Sequence, residues 1–329
     1  MNHPPLQPGW IDRPHESASL GDLLLASGEV LKDCMVSFVR HGRGERFLLC
    51  LTAIGSTHHR LDPWIGPGRA LDTDRYCVLC VDALGNGLSS SPSNSRTQPG
   101  LAFPRFTIRD MVESQHRLLQ HLGIESVAAV VGASMGGMQA LQWAVSHPSI
   151  IGKVVALTAP ACTTPWTVAI NEAGRCALMH PADWADENST AGWDCWAALM
   201  QVIAPRTPAA VRGDVRAEIA ARARACRSTG IRAIDWVYQS WAYDAHDLGG
   251  TPGCRDRRDA LARLRAPALL MAPPLDLYNP SEAVRAVADG MANARFVEIP
   301  SIEGHAAAAA ISEADTAFID AEVARFLGG

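Results

Sequence analysis

The 329-residue chain has no apolar run long enough to span a membrane and no excess of basic charge. Its formal net charge of −5 gives nucleic acid or an acidic membrane surface no electrostatic hold, so neither is expected as a partner. The first eight residues show no basic region followed by an apolar one, so no secretory leader is expected. Nine cysteines fall at 34, 50, 77, 80, 162, 176, 195, 226 and 254. An odd number at irregular spacing argues against a disulfide framework and makes a reducing cytoplasm the default compartment. Cys77 and Cys80 have C-x-x-C spacing, but they sit inside the apolar run Tyr76–Val81. With no second cysteine pair or histidine pair to complete a zinc set, the sequence points to no metal. No internal repeat interrupts the chain, and Ala306–Ala310 is its only low-complexity stretch.

What is present is a soluble, core-forming composition of 48% apolar and 19% charged residues. Continuous apolar runs read as buried strands at Cys34–Val39, Phe47–Leu51, Tyr76–Val81, Val127–Val131, Val154–Leu157, Ala268–Met271 and Ala294–Ile299. Helical spacing appears at Thr107–Leu122, from Met138 to His147, at Pro280–Ala292 and at Ser312–Leu327. Residues 1–32 read as polar and proline-dotted, with one apolar stretch at Leu20–Leu25. Apolar strands alternating with helices predict an α/β fold: a mostly parallel sheet covered on both faces.

The pattern changes near residue 161. Residues 161–250 hold six of the nine tryptophans (166, 184, 193, 196, 236, 241) and no convincing strand. Ala209–Arg227 and Asp235–Ala245 read as helices. The expected organisation is therefore a core of residues 1–160 and 251–329, interrupted by a helical cap at 161–250.

One stretch carries chemistry. Gly132-Ala-Ser-Met-Gly136 lies between a strand and the helix beginning at Met138. That is the context of a G-x-S-x-G nucleophile elbow, in which glycines let strand and helix approach and a strained turn exposes the serine. A serine hydroxyl needs a base, and the base needs an acid to fix its tautomer. In this architecture the acid follows a strand after the cap and the histidine follows the last strand. Asp276, just past Ala268–Met271, and His305, just past Ala294–Ile299, occupy those places. Glu303 is the competing acid, and His147, His180 and His246 are the competing bases. The oxyanion hole is expected from the backbone N–H of Met135 and from the loop Thr52–Ser56, at Ala53 or its neighbour Ile54. His58 and His59 beyond that loop read as a solvated pair.

These residues resemble a known family. Gly132–Ala144 resembles the elbow of the homoserine O-acetyltransferases within the α/β-hydrolase superfamily. Asn171, Glu172 and Arg175 resemble their N-E-x-x-R stretch, Thr52–Ser56 their A-L-T-G-S loop, and Pro300–His305 their closing G-H motif. The resemblance implies an α/β-hydrolase fold with an inserted cap, a Ser134–Asp276–His305 triad, an acyl-enzyme, and in many members a homodimer held by cap helices. It also has departures. The family places an aspartate, associated with the amino-acid acceptor, directly after the histidine, where this chain has Ala306. The family's substrate-binding arginine has no aligned position in the cap.

Three functions follow, in order. The first is a serine hydrolase cleaving a carboxylic ester, or an amide, of a largely apolar small molecule, with no cofactor. The second is an O-acyltransferase with acetyl-CoA as co-substrate. The third is a non-catalytic binding protein on the same fold, against which an intact triad argues. Ile54, Trp166, Arg175, Trp241 and His246 are the expected substrate contacts.

Overall fold

The computed structural model describes residues 3–180, 192–228 and 232–329. The apolar runs build one eight-stranded sheet. In chain order its strands are β1 (Glu16–Leu24), β2 (Val30–His41), β3 (Arg46–Leu51), β4 (Tyr76–Val81), β5 (Ala129–Ala133), β6 (Val154–Leu157), β7 (Ala268–Ala272) and β8 (Ala294–Glu298). Across the sheet they run β1-β2-β4-β3-β5-β6-β7-β8. The β1–β2 and β2–β4 pairs are antiparallel and all later pairs parallel. Strands β4, β5, β6 and β7 are buried along their whole length, as the uninterrupted apolar runs predict.

Alternate side chains serve opposite faces. On one face Leu49, Leu51, Val130 and Leu270 pack with α1 (Ile108–His121), α2 (Met135–Ser146) and α8 (Ser281–Asp289). On the other Leu48, Val78, Val131 and Met271 pack with α9 (Glu313–Gly328) and the 3₁₀ turn His58–Trp64. Between β6 and β7 lie α3 (Pro165–Met179), α4 (Trp193–Ala197), α5 (Val215–Ser228) and α6 (Ala233–Asp244), with no strand of the sheet among the described residues. Trp184, counted in the tryptophan-rich stretch, lies outside the described residues. A further short helix, α7 (Arg257–Arg263), precedes β7.

The structure differs from the sequence reading in local ways. β1 forms where a polar segment was expected, because an edge strand needs few buried positions: only Ala18 and Leu23 are buried, and Leu24 is 61% exposed. α5 begins at Val215 rather than 209, because Gly213 takes φ +78° and Asp214 Oδ1 accepts the Ala217 N–H at 3.0 Å. α8 stops at Asp289, with Gly290 as its cap. No helix among the described residues is long and apolar enough to cross a membrane.

Helix α6 is bound tightly to the sheet side. Gln239 Nε2 donates to the Leu84 carbonyl at 3.0 Å, and its Oε1 accepts the Gly55 N–H at 2.9 Å. Asp235 accepts from Ser93 Oγ at 2.5 Å and Ser93 N at 3.0 Å. Burial pushes the Asp235 carboxyl up to about 7, despite those two hydrogen bonds. The folded state therefore binds this proton more tightly than the unfolded chain does. Stability falls as pH rises from 3.8 to about 7, as ionisation becomes the favoured state only after unfolding. Asp235→Asn, which imitates the protonated acid, is expected to melt with wild type near about pH 4 and above it near about pH 8. Thermal melts across that range check it; a variant offset that does not grow with pH contradicts it.

Candidate active site

β5 ends in the turn that carries Ser134, at φ +55° and ψ −123°. A serine at positive φ is strained, and such strain is held by surrounding contacts. Here the Ser134 N–H donates to the Leu157 carbonyl at 2.8 Å, and its own carbonyl accepts from Met138 N at 3.0 Å. Glycine is required around it. A Cβ on Gly132 would overlap the backbone of Gly136, and one on Gly136 would overlap the Leu51 carbonyl. Leu51 pairs with Gly132 across the sheet, so the loop after β3 leaves beside the elbow. The N–H groups of Ala53, Ile54 and Met135 have no hydrogen-bond acceptor among the described residues.

Three side chains from three separate loops meet in a line. His305 Nε2 lies 2.9 Å from Ser134 Oγ, and His305 Nδ1 lies 2.7 Å from Asp276 Oδ2. The other carboxylate oxygen, Oδ1, accepts the N–H groups of Tyr278 and Asn279, both at 2.8 Å. With Nδ1 donating to Asp276, Nε2 is the free base and takes the serine hydroxyl proton as a hydrogen bond. Ser134 Oγ then accepts from the Tyr243 hydroxyl at 3.4 Å, whose oxygen in turn accepts from Asn279 Nδ2 at 2.6 Å. Burial pushes the Tyr243 phenol above its ordinary range, so it stays a donor. Tyr278 sets its ring edgewise on His305, with centroids 4.9 Å apart.

Two bonds tie the His305 loop to the helical layer. Ala306 N donates to the Pro205 carbonyl at 2.8 Å, and Thr207 Oγ1 donates to the Ile302 carbonyl at 2.5 Å. Above Ser134 and His305 is a cavity of about 250 Å³, walled by Ile54, Trp196, Met200, Trp236, Ala306 and Ile311. Among the described residues no aspartate or glutamate is in its lining. Arg60 is: its guanidinium donates to the Ala308 carbonyl at 2.8 Å, has no carboxylate partner among the described residues, and is pulled down to about 10 by burial.

The structure brings Ser134, Asp276, His305, Ala53 and Ile54 together around this cavity, with Met135 as the first residue of α2 beside the serine. Trp166, Arg175, Trp241 and His246 do not line it. Trp166 is 58% exposed, with its indole on the Leu277 carbonyl. Trp241 stacks under the Arg105 guanidinium at 3.6 Å. His246 is buried with Nε2 on the Pro160 carbonyl. Arg175 is buried in ion pairs with Asp244 and Glu172, both at 2.6 Å. Asp244 also accepts from Asn171 at 2.7 Å, and Asn171 accepts from the Tyr278 hydroxyl at 2.5 Å, so Arg175 acts on the site only through other side chains. Glu303 faces Arg206 at 3.7 Å rather than His305. Trp236, Tyr243 and Asn279 are the residues sequence reasoning missed. A helical wheel could have found two of them, since 236, 240 and 243 share the inward face of α6 while 241 does not.

A sequence profile of the α/β hydrolase fold matches residues 46–191. The acetyl esterase MekB superposes with a TM-score of 0.90 at 26% identity, covering 96% of this chain and 97% of that one. The chain has the α/β-hydrolase fold. The homoserine O-acetyltransferase of Methanococcoides burtonii is 40% identical over 186 residues, which is 50% of this chain and 38% of that protein. The chain thus matches well under half the length of that relative. The homoserine O-acetyltransferase of Bacillus anthracis shares the fold, with a TM-score of 0.83 at 23% identity over 96% of this chain and 98% of that one.

The elbow contact makes a direct prediction. Gly136→Ala forces a methyl against the Leu51 carbonyl and is expected to cost about 1–3 kcal/mol or more. Urea unfolding measures it, and an unchanged midpoint would show that the backbone contact is not tight.

Proposed function

We propose that this chain is a serine hydrolase that cleaves a carboxylic ester of a small, largely apolar molecule through an acyl-enzyme. Ser134 Oγ attacks the ester carbonyl as His305 Nε2 takes its proton, and Asp276 stabilises the imidazolium. The N–H groups of Met135 and Ala53 hold the developing oxyanion. His305 then gives the proton to the leaving alkoxide. A water attacks the acyl-enzyme, passing one proton to His305, and Ser134 recovers that proton as the carboxylic acid departs and ionises in solvent.

The observation that carries this reading is the lining of the cavity. Among the described residues no carboxylate faces it, and Ala306 stands beside the base, so an ammonium-bearing acceptor would find no negative partner among them. Water needs none. Arg60 on the same wall suits a carbonyl or carboxylate end of the ester. The residues between β6 and β7 act as a cap in this proposal, since Trp196, Met200 and Trp236 close the cavity over Ser134. A homodimer through that helical layer, and a reducing cytoplasmic setting for its nine cysteines, belong to the same proposal.

Acyl transfer from acetyl-CoA to an alcohol is the second reading, favoured by the likeness to homoserine O-acetyltransferases. It uses the same acyl-enzyme and differs in what attacks it. A panel of p-nitrophenyl esters and acyl-CoA thioesters decides between them. Short-chain esters are expected to turn over without an added alcohol, with kcat lowered at least about 1000-fold in Ser134→Ala. Acetyl-CoA turnover that rises steeply with added alcohol would overturn hydrolysis in favour of transfer. Equal rates in wild type and Ser134→Ala, with no fluorophosphonate label, would overturn both.

A further inference from the structure

The molecule holds a second cluster of chemistry one turn beyond the loop Thr52–Ser56. His58 and His59 open the 3₁₀ turn after that loop and are buried, not solvated as the sequence suggested. Each has its Nδ1 fixed by a buried carboxylate. His58 Nδ1 lies 3.1 Å from Asp82 Oδ2, and His59 Nδ1 lies 2.7 Å from Asp62 Oδ2. Both imidazoles therefore turn Nε2 the other way. What they face comes from the N-terminal segment. His3 Nε2 is 3.0 Å from His59 Nε2, and the His15 ring centroid is 4.4 Å from that of His58. Donor nitrogens of His3, His15 and His58 all lie within 4.8 Å of one another.

Charge makes the cluster unusual. Two buried carboxylates face imidazoles, and neither forms an ion pair with a lysine or arginine among the described residues. Asp82 is also fixed in place, taking hydrogen bonds from His58, Asn86 and Ser37. His15 has its Nδ1 buried with no hydrogen-bond partner among the described residues. The cluster thus gathers imidazole nitrogens beside two buried carboxylates. A carboxylate on the far nitrogen of a ligating histidine is the usual outer layer of a zinc-type site, fixing the tautomer and raising ligand basicity.

We propose that His3, His15 and His58, with His59 beside them, bind a divalent transition-metal ion of the zinc class, oriented by Asp82 and Asp62. To reach ligand bonds of about 2.0–2.1 Å the nitrogens would draw in around the ion from the spacing seen here. The ion would balance the two carboxylates and fasten the N-terminal segment to the core. That segment, through Pro4 and Trp10, forms one wall of an outer cavity of about 550 Å³. The opposite wall is Trp193, Trp196 and Trp236, and Trp196, Trp236 and Arg60 are shared with the cavity over Ser134. The metal is structural in this proposal: it builds the approach to the site and takes no part in the reaction.

The test uses untagged full-length protein stripped with a chelator and titrated with Co²⁺ followed by visible absorption, and with Zn²⁺ by calorimetry. One equivalent per chain is expected, with tetrahedral d–d bands and a raised Tm. His15→Ala and His3→Ala, which alter only the N-terminal segment, are expected to weaken binding at least about 10-fold. Asp82→Asn should weaken it too if that variant folds. His116→Ala, in a separate Glu113–His116–His147 group, should leave it unchanged. Absence of stoichiometric binding to wild type overturns the proposal. So does binding that survives in both His15→Ala and His3→Ala, or binding that fails instead in His116→Ala.

Discussion

The approach of α2 to the backbone of β3 and β5 is the constraint on which the rest of the site depends. Gly132 and Gly136 remove the side chains that would hold these segments apart, and Ser134 is forced to φ +55° in the turn between them. The strain is affordable because the flanking strand and helix are buried almost throughout. Close approach also sets the first N–H of α2 beside the N–H groups leaving β3. The same geometry therefore fixes the proposed nucleophile and the donors proposed for its oxyanion.

Much of this was legible in the sequence, for a physical reason. A doubly covered parallel sheet requires continuous apolar strands, and chemistry collects at their carboxyl ends. Once Gly132–Gly136 marked one such end, Asp276 and His305 were constrained by chain order. The substrate contacts were not constrained in this way. Trp241 and His246 were chosen for their residue type, whereas direction on α6 decides the matter: Trp236 and Tyr243 point inward and Trp241 points to Arg105. Asn279 carried no signal, because its role exists only where it meets Tyr243 and Thr158. β1 was hidden by its position at the edge, where a strand buries too little to show a pattern.

The histidine cluster was hidden by distance along the chain. His3, His15 and His58 are spread over more than fifty positions, so no ligand spacing is visible. Their convergence depends on the N-terminal segment returning beside the 3₁₀ turn, where the Ile11 N–H meets Asp62 at 2.7 Å. The two sites share an origin nonetheless. One begins at the end of β3 and the other is anchored at Asp82, just past its neighbour β4.

The bonds between the His305 loop and the segment around Pro205 have a kinetic meaning. The residue proposed as the base does not rest on the sheet alone, because its neighbours Ile302 and Ala306 are held by Thr207 and Pro205 of the helical layer. Any outward swing of that layer wide enough to admit a molecule pulls on the loop carrying the imidazole. Under the proposed mechanism, the fit of the helical layer and the alignment of the base are therefore linked through these two bonds.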